Sequence, residues 1–218
     1  MRSFFIAALS AMIIALSMGC KSGDKGPQTF CDTACLKDSI KFVGDHKLAP
    51  YVYITASSCM SDSIAWSYKG MGINKKIDIE GLIKRPAHLQ PGFVKCFFKD
   101  TAFAWLIFND CATGRGYQIK LPFNKTANID RRSGGINSTD PKFSITDGLI
   151  ANTDRGNIFV EEISTGKQAQ MTFGEDIGVE FDIIHEYIDS VKITSTHIWA
   201  KIKIKDQWVI KEKDIELK

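Results

Sequence analysis

The groups in this 218-residue chain with the chemistry to act are six cysteines, four histidines and a scatter of carboxylates. In "CDTAC", Cys31 and Cys35 stand four residues apart, which puts them on one face of a helix, one turn apart. Cys59, Cys96 and Cys111 follow singly. A zinc site would need further ligands at converging positions, and His46, His88, His185 and His197 show no supporting spacing. "HEYID" (His185 to Asp189) starts like a zinc-protease helix but has no second histidine. There is no Gly-x-Ser-x-Gly elbow and no phosphate-binding loop. Glu161 and Glu162 are neighbours on an expected strand and point to opposite faces, so they make no catalytic pair. Asp176, Glu180, Asp182 and Glu186 form an acidic stretch without the ligand spacing of a calcium loop. Asp154 and Asn157 sit in a turn, where they satisfy backbone amides. No catalytic residue, metal site or cofactor is therefore expected.

The redox state of the cysteines depends on where the chain resides. Phe4 to Met18 is apolar over about 15 residues, the length of a signal-peptide core and short of the roughly 20 of a spanning helix. Ser17-Met18-Gly19-Cys20 ends it. This tetrapeptide resembles a bacterial lipobox, although Leu16 lies one place further from the cysteine than the pattern has it. The resemblance implies a signal peptide over residues 1–19 and a diacylglycerol on the Cys20 thiol. Residues 20–29 then form a lipidated tether whose "KSGDKGPQ" is polar and rich in Gly and Pro. It implies the cell envelope, with the outer membrane as the anchor. An exported chain meets oxidants, so Cys31, Cys35, Cys59, Cys96 and Cys111 are disulfide candidates. Five is odd, so two bridges and one free thiol are expected, with Cys31 and Cys35 each clipped to a following sheet.

These groups need a scaffold, and the sequence expects an all-β one with a short N-terminal helix. Leu36, Ile40 and Val43 recur at helical spacing, placing the helix near residues 31–43. After Pro50, β-branched and aromatic residues run in short bursts between turn residues. Residues 30–218 read as one β-rich domain. The net charge is +3, with no basic patch interleaved with aromatics, so nucleic acid is not an expected partner.

Four bursts align: "CMSDSIAWSY", "FKDTAFAWLIFND", "FSITDGLIANTDRG" and "ITSTHIWAKIKI". Ile64, Phe103, Leu149 and Ile198 take equivalent places, at intervals of roughly 40 to 50 residues. The third continues as "FSITDGLIANTDRGNIFVEEISTGKQAQMTF" (Phe143 to Phe173). It resembles the WD40-like blade of TolB-type β-propellers through Phe143-Ser144, Asp147-Gly148, Asp154 to Asn157, Ile158 to Val160 and Thr165-Gly166-Lys167. The resemblance implies four antiparallel, blade-like β-meanders; a two-sheet β-sandwich built from the same meanders is the alternative. Ile158 and Val160 point one way and Phe159 the other. In "WAKIKIKDQWVI", Lys201, Lys203 and Lys205 alternate with Ile202 and Ile204, so one face is charged and the other buried, with a turn at Asp206-Gln207. Residues 122 to 142 read as a long loop between the second and third sheets, offering Arg131 and Arg132 to an anion.

Five tripeptides share the form Asp-Ser/Thr-apolar. The pattern resembles the O-glycosylation motif of exported Bacteroidota proteins, which implies Thr33, Ser39, Ser63, Thr101 and Ser190 as acceptors. Asp-Ser/Thr pairs also suit turns and caps. The reading that fits these features is a non-enzymatic, lipid-anchored envelope protein presenting a β surface to a protein partner. A carbohydrate- or small-ligand-binding module is the second reading, since four tryptophans permit an aromatic platform. An envelope enzyme with its site divided among loops is the third.

Overall fold

The computed structural model describes residues 31, 35–154, 156–174 and 186–218. The described residues form four four-stranded sheets. The first contains β1 (Ile40–Val43), β2 (Tyr51–Ser57), β3 (Met60–Ser67) and β4 (Lys75–Asp78) in chain order. The second repeats that order with β5 (Val94–Lys99), β6 (Phe103–Asn109), β7 (Gly116–Pro122) and β8 (Asp130–Ser133). The third runs β13 (Gln168–Thr172), β12 (Asn157–Glu162), β11 (Leu149–Asp154), β9 (Gly135–Ile136). The fourth is β10 (Phe143–Ile145), β14 (Ile188–Ile193), β15 (His197–Ile204), β16 (Gln207–Asp214). Pairing is antiparallel except between β10 and β14. A short helix, α1 (Ile79–Ile83), follows β4 and is capped by the Asp78 carboxylate, which accepts from the Gly81 amide.

Alternation along the strands stacks the sheets in chain order. Ile64 and Trp66 of the first sheet meet Ala104, Leu106 and Phe108 of the second in one core. The other face of β6 carries Trp105 and Ile107, which pack on Ile150 of the third sheet and Ile163 in the turn after β12. Ala151, Ile158 and Val160 face the opposite way, onto Ile193, Ile198, Ala200 and Ile202 of the fourth. Each inner sheet is thus buried on both sides, so β6 reads as a nearly unbroken apolar run. Polar groups stitch the layers. Trp66 Nε1 donates to Pro122 O across 3.0 Å. Gln118, fully buried, donates to both Asn137 Oδ1 and Ala151 O.

Several expectations need correction. The segment expected to be helical near 31–43 is not helical over its described residues: 35–39 are irregular and Ile40–Val43 is β1, paired antiparallel with β2. Leu36 and Ile40 are both in the core, which explains why both are apolar, but Val43 is 62% exposed. β-branched and aromatic side chains at Ile40, Phe42 and Val43 favour a pleat, and the Leu36 amide donates to Cys59 O beside it. There are four sheets, so the two-sheet sandwich does not hold. Residues 122 to 142 hold β8 and β9 rather than one loop. "DRRS" carries no apolar signature because an edge strand has only one neighbour and a solvated flank. Asp-Gly is a pair suited to a tight hairpin turn, yet Asp147-Gly148, with Gly148 at φ +85°, joins β10 of the fourth sheet to β11 of the third and closes no hairpin. The last hairpin turns at Lys205-Asp206, both at positive φ, one residue earlier than expected.

Candidate functional site

The fourth sheet ends the stack, and no described element covers its outer face. Side-chain period 2 sorts β15 cleanly: Ile198, Ala200, Ile202 and Ile204 are buried while His197, Trp199, Lys201 and Lys203 face outward. Register sets their neighbours. On β16, Asp214, Glu212, Ile210 and Trp208 stand opposite these four in turn. On β14, Lys192 stands opposite Trp199 and Ser190 opposite Lys201. Trp208 is 48% exposed and Ile210 57%, the two largest apolar groups left open on this face.

Charge on the face is mostly paired. Lys201 Nζ lies 3.2 Å from Asp189 and 5.7 Å from the Trp208 ring. Lys203 meets Asp206 at 3.1 Å and sits 5.8 Å from the Tyr187 ring. His197 Nδ1 is 2.8 Å from Asp214, and its Nε2 is 3.8 Å from Glu212. The Ser190 hydroxyl, then Lys201, hold the Asp189 carboxyl below its usual range. Lys192 has no acidic partner within bonding distance among the described residues. It borders a cleft of about 540 Å³ with Thr194, His197 and Trp199.

The first sheet has its own open face. Tyr51 and Tyr53 lie 4.5 Å apart by ring centroid, the Tyr51 hydroxyl donates to Asn74 at 2.9 Å, and Lys41 sits over Tyr53. Its tyrosines are engaged with each other and with Asn74 and Lys41, so it offers less than the Trp199 cleft. Between the ends, a groove of about 520 Å³ runs past Val43, Cys96, Phe98 and Gly148.

The expected site residues distribute as follows. Cys20 and Thr33 lie outside the described residues, as do Asp176, Glu180, Asp182 and His185. Cys31 pairs with Cys111 and Cys35 with Cys59, leaving Cys96 as the free thiol. The first bridge ties the N-terminal segment to the β6–β7 turn, the second to the β2–β3 turn. Ser39 is exposed, Thr101 and Ser190 are half-buried, and Ser63 is 2% exposed, with its hydroxyl bonded to Asp62 and Thr55. Arg132 is ion-paired with Glu161 at 2.6 Å and lies over Trp105, while Arg131 donates to Leu82 O, so both have protein partners. Glu161 is buried and Glu162 is not, as alternation requires. Among the described residues no three His, Cys, Asp or Glu side chains converge on one point. The grouping that the residue spacing did not single out is Lys192, Trp199, Trp208 and Ile210. Its signal lay in the outward positions of "HIWAKIKIKDQWVI", where two tryptophans stand among the lysines.

The fold and this face define an all-β protein of four stacked sheets with aromatic side chains on an open end. No protein-family model, curated protein or solved structure matches the chain.

Proposed function

We propose that this chain is a non-enzymatic, lipid-anchored protein of the bacterial cell envelope that docks a protein partner on the outer face of its fourth sheet. The exposure of Trp208 and Ile210, neighbours on one face of the last strand, is the observation that carries the reading. Exposed large apolar groups rimmed by ion pairs are the usual make-up of a docking patch, and tryptophan is the residue most often found at its energetic centre. The lipobox-like stretch before Cys20 supplies the address. In this reading the four sheets are repeats of one blade-like unit, supported by four strands in each and by the placement of Ile64, Phe103, Leu149 and Ile198 on inner strands of successive sheets.

A photoreactive amino acid placed at Ile210 in whole cells tests it. The expected outcome is one crosslinked protein, recovered again from a probe at Trp208 and lost when Ile210 is replaced by Asp. Crosslinks that do not depend on residue 210, or none from either position, would sink the reading.

A further inference from the structure

The corner around Trp199 differs from the Trp208–Ile210 patch, and a different ligand suits it. The indole of Trp199 is half-buried, at the edge of the cleft of about 540 Å³. Across the sheet it is flanked in register by Lys192 on one side and Glu212 on the other. Neighbouring strands lie about 4.8 Å apart, so a cation, an aromatic face and a carboxylate follow one another in a single row. Thr194 and His197 complete the rim. The apolar ring has Lys192, Thr194 and His197 at its rim, and an apolar side chain of a partner would offer Lys192 no counter-charge. A sugar ring fits the same row. Its polarised C–H face packs on the electron-rich indole, and its hydroxyls meet Glu212, His197 and Lys192. The cleft also lies within the size range of small-ligand sites.

The charge of the ligand follows from Lys192. Lys201 and Lys203 each hold an acid within 3.2 Å, and His197 takes Asp214 and Glu212. Among the described residues, Lys192 is left with an ammonium group that has no carboxylate within bonding distance. We propose that the cleft of Lys192, Thr194, His197 and Trp199 is a subsite for a carboxylate-bearing sugar residue, with the indole as the stacking platform and Lys192 as the partner of the acid. The inference shares the open face with the docking reading but not its residues. Sugar binding without a crosslinked protein at Ile210, or the reverse, shows which of the two has failed.

The test uses the full-length protein in detergent micelles, with trimers of galacturonic and glucuronic acid and the neutral trimers of galactose and glucose as probes. Indole fluorescence and saturation-transfer NMR report binding, and a thermal melt of each variant reports folding. At low salt at least one acidic trimer binds about tenfold more tightly than its neutral counterpart, since charge-assisted hydrogen bonds carry that much. Added salt narrows the gap, because the pair is solvent-exposed. Lys192→Gln removes the preference for the acid while leaving neutral binding, and Trp199→Ala removes both at an unchanged melting temperature. The proposal is overturned if no acidic trimer binds at millimolar concentration, or if acidic and neutral trimers bind equally. Binding by Trp199→Ala equal to that of the parent would also overturn it. So would a protein crosslinked through position 192 that the sugars do not displace.

Discussion

Asp62 shows how little of a residue's role lies in its own type. Its carboxylate accepts from Thr55 at 3.1 Å and from Ser63 at 2.8 Å on the outer face of the first sheet. The Ser63 hydroxyl first, then Thr55, hold its carboxyl below the ordinary 3.8; burial opposes them, and the nearby Lys76 charge adds the smallest lowering effect. A depressed folded-state value stabilises the native chain above the unfolded value, and that gain is lost as pH falls through the folded one. Asp62→Asn should therefore melt below the parent at pH 7 and at pH 5. The gap should close as pH drops below about 3.8, and melting curves across pH 7 to 2.5 measure it. Cys96 is governed by its surroundings in the opposite sense. Desolvation drives its thiol above the ordinary range, and thiolate is the reactive form. Iodoacetamide at pH 8 should modify the native protein slowly and take up one equivalent per chain once it is denatured. Fast native labelling would mean the thiol is not where the fold puts it. Ser63 belongs to the same scale. If the Asp-Ser/Thr motif directs glycosylation, the exposed Ser39 and the half-buried Ser190 and Thr101 are reachable in the folded chain and Ser63 is not.

The elements explain both what the sequence told and what it withheld. Strands with one buried face announce themselves, and β15 was legible because Ile198, Ile202 and Ile204 alternate with lysines and Trp199. The meander β11–β12–β13 was legible too, from the turn residues around Asp154 and Thr165. β8 was not, because an edge strand made of Asp130, Arg131, Arg132 and Ser133 has the composition of a loop. β1 was misread because two core residues, Leu36 and Ile40, fell at helical spacing by coincidence while their partners came from distant β2 and β3. The count of two bridges and one thiol followed from arithmetic, but their pairing is a property of the assembled sheets. The face around Trp199 and Trp208 was only half legible, since alternation gave its direction while the register with β14 and β16 is tertiary. Two element-level tests follow. A Cβ at Gly116 would lie 2.0 Å from the Gly135 carbonyl oxygen, on the seam where β7 and β9 join the second and third sheets. Gly116→Ala should cost more than about 2 kcal/mol in urea unfolding, since neither backbone can retreat without opening a buried seam. Losing the Cys31–Cys111 bridge, which spans 80 residues, should cost about 4 kcal/mol, and losing Cys35–Cys59, which spans 24, about 3 kcal/mol. Equal or inverted losses for the paired Cys→Ser variants would show that strain, not chain entropy, sets their worth.

At the scale of the whole molecule, stacking in chain order leaves two sheet faces that no other described sheet covers, one at each end. A stack of this kind could bury its ends against each other, against a partner or against nothing, and the ion pairs on the fourth sheet fit a face that is wet when free. How that face would meet the proposed partner depends on where the molecule is held. The proposed anchor is a diacylglycerol on Cys20, and two acyl chains retain a protein at a membrane where one chain does so only weakly. Cys20→Ser should therefore move the protein from the membrane fraction into the soluble fraction, at any salt concentration. A surface held by charge would instead let go of the parent protein in a high-salt wash, because screening shortens its reach to a few ångströms. The same variant should keep the parent's melting temperature, because the two bridges and all three apolar cores lie after residue 30. Fractionation and melting of the one variant thus separate address from fold. Release with an unchanged melt supports the anchor. Retention in washed membranes would mean that the opening apolar run, or a partner on the open face, holds the protein there in place of the lipid.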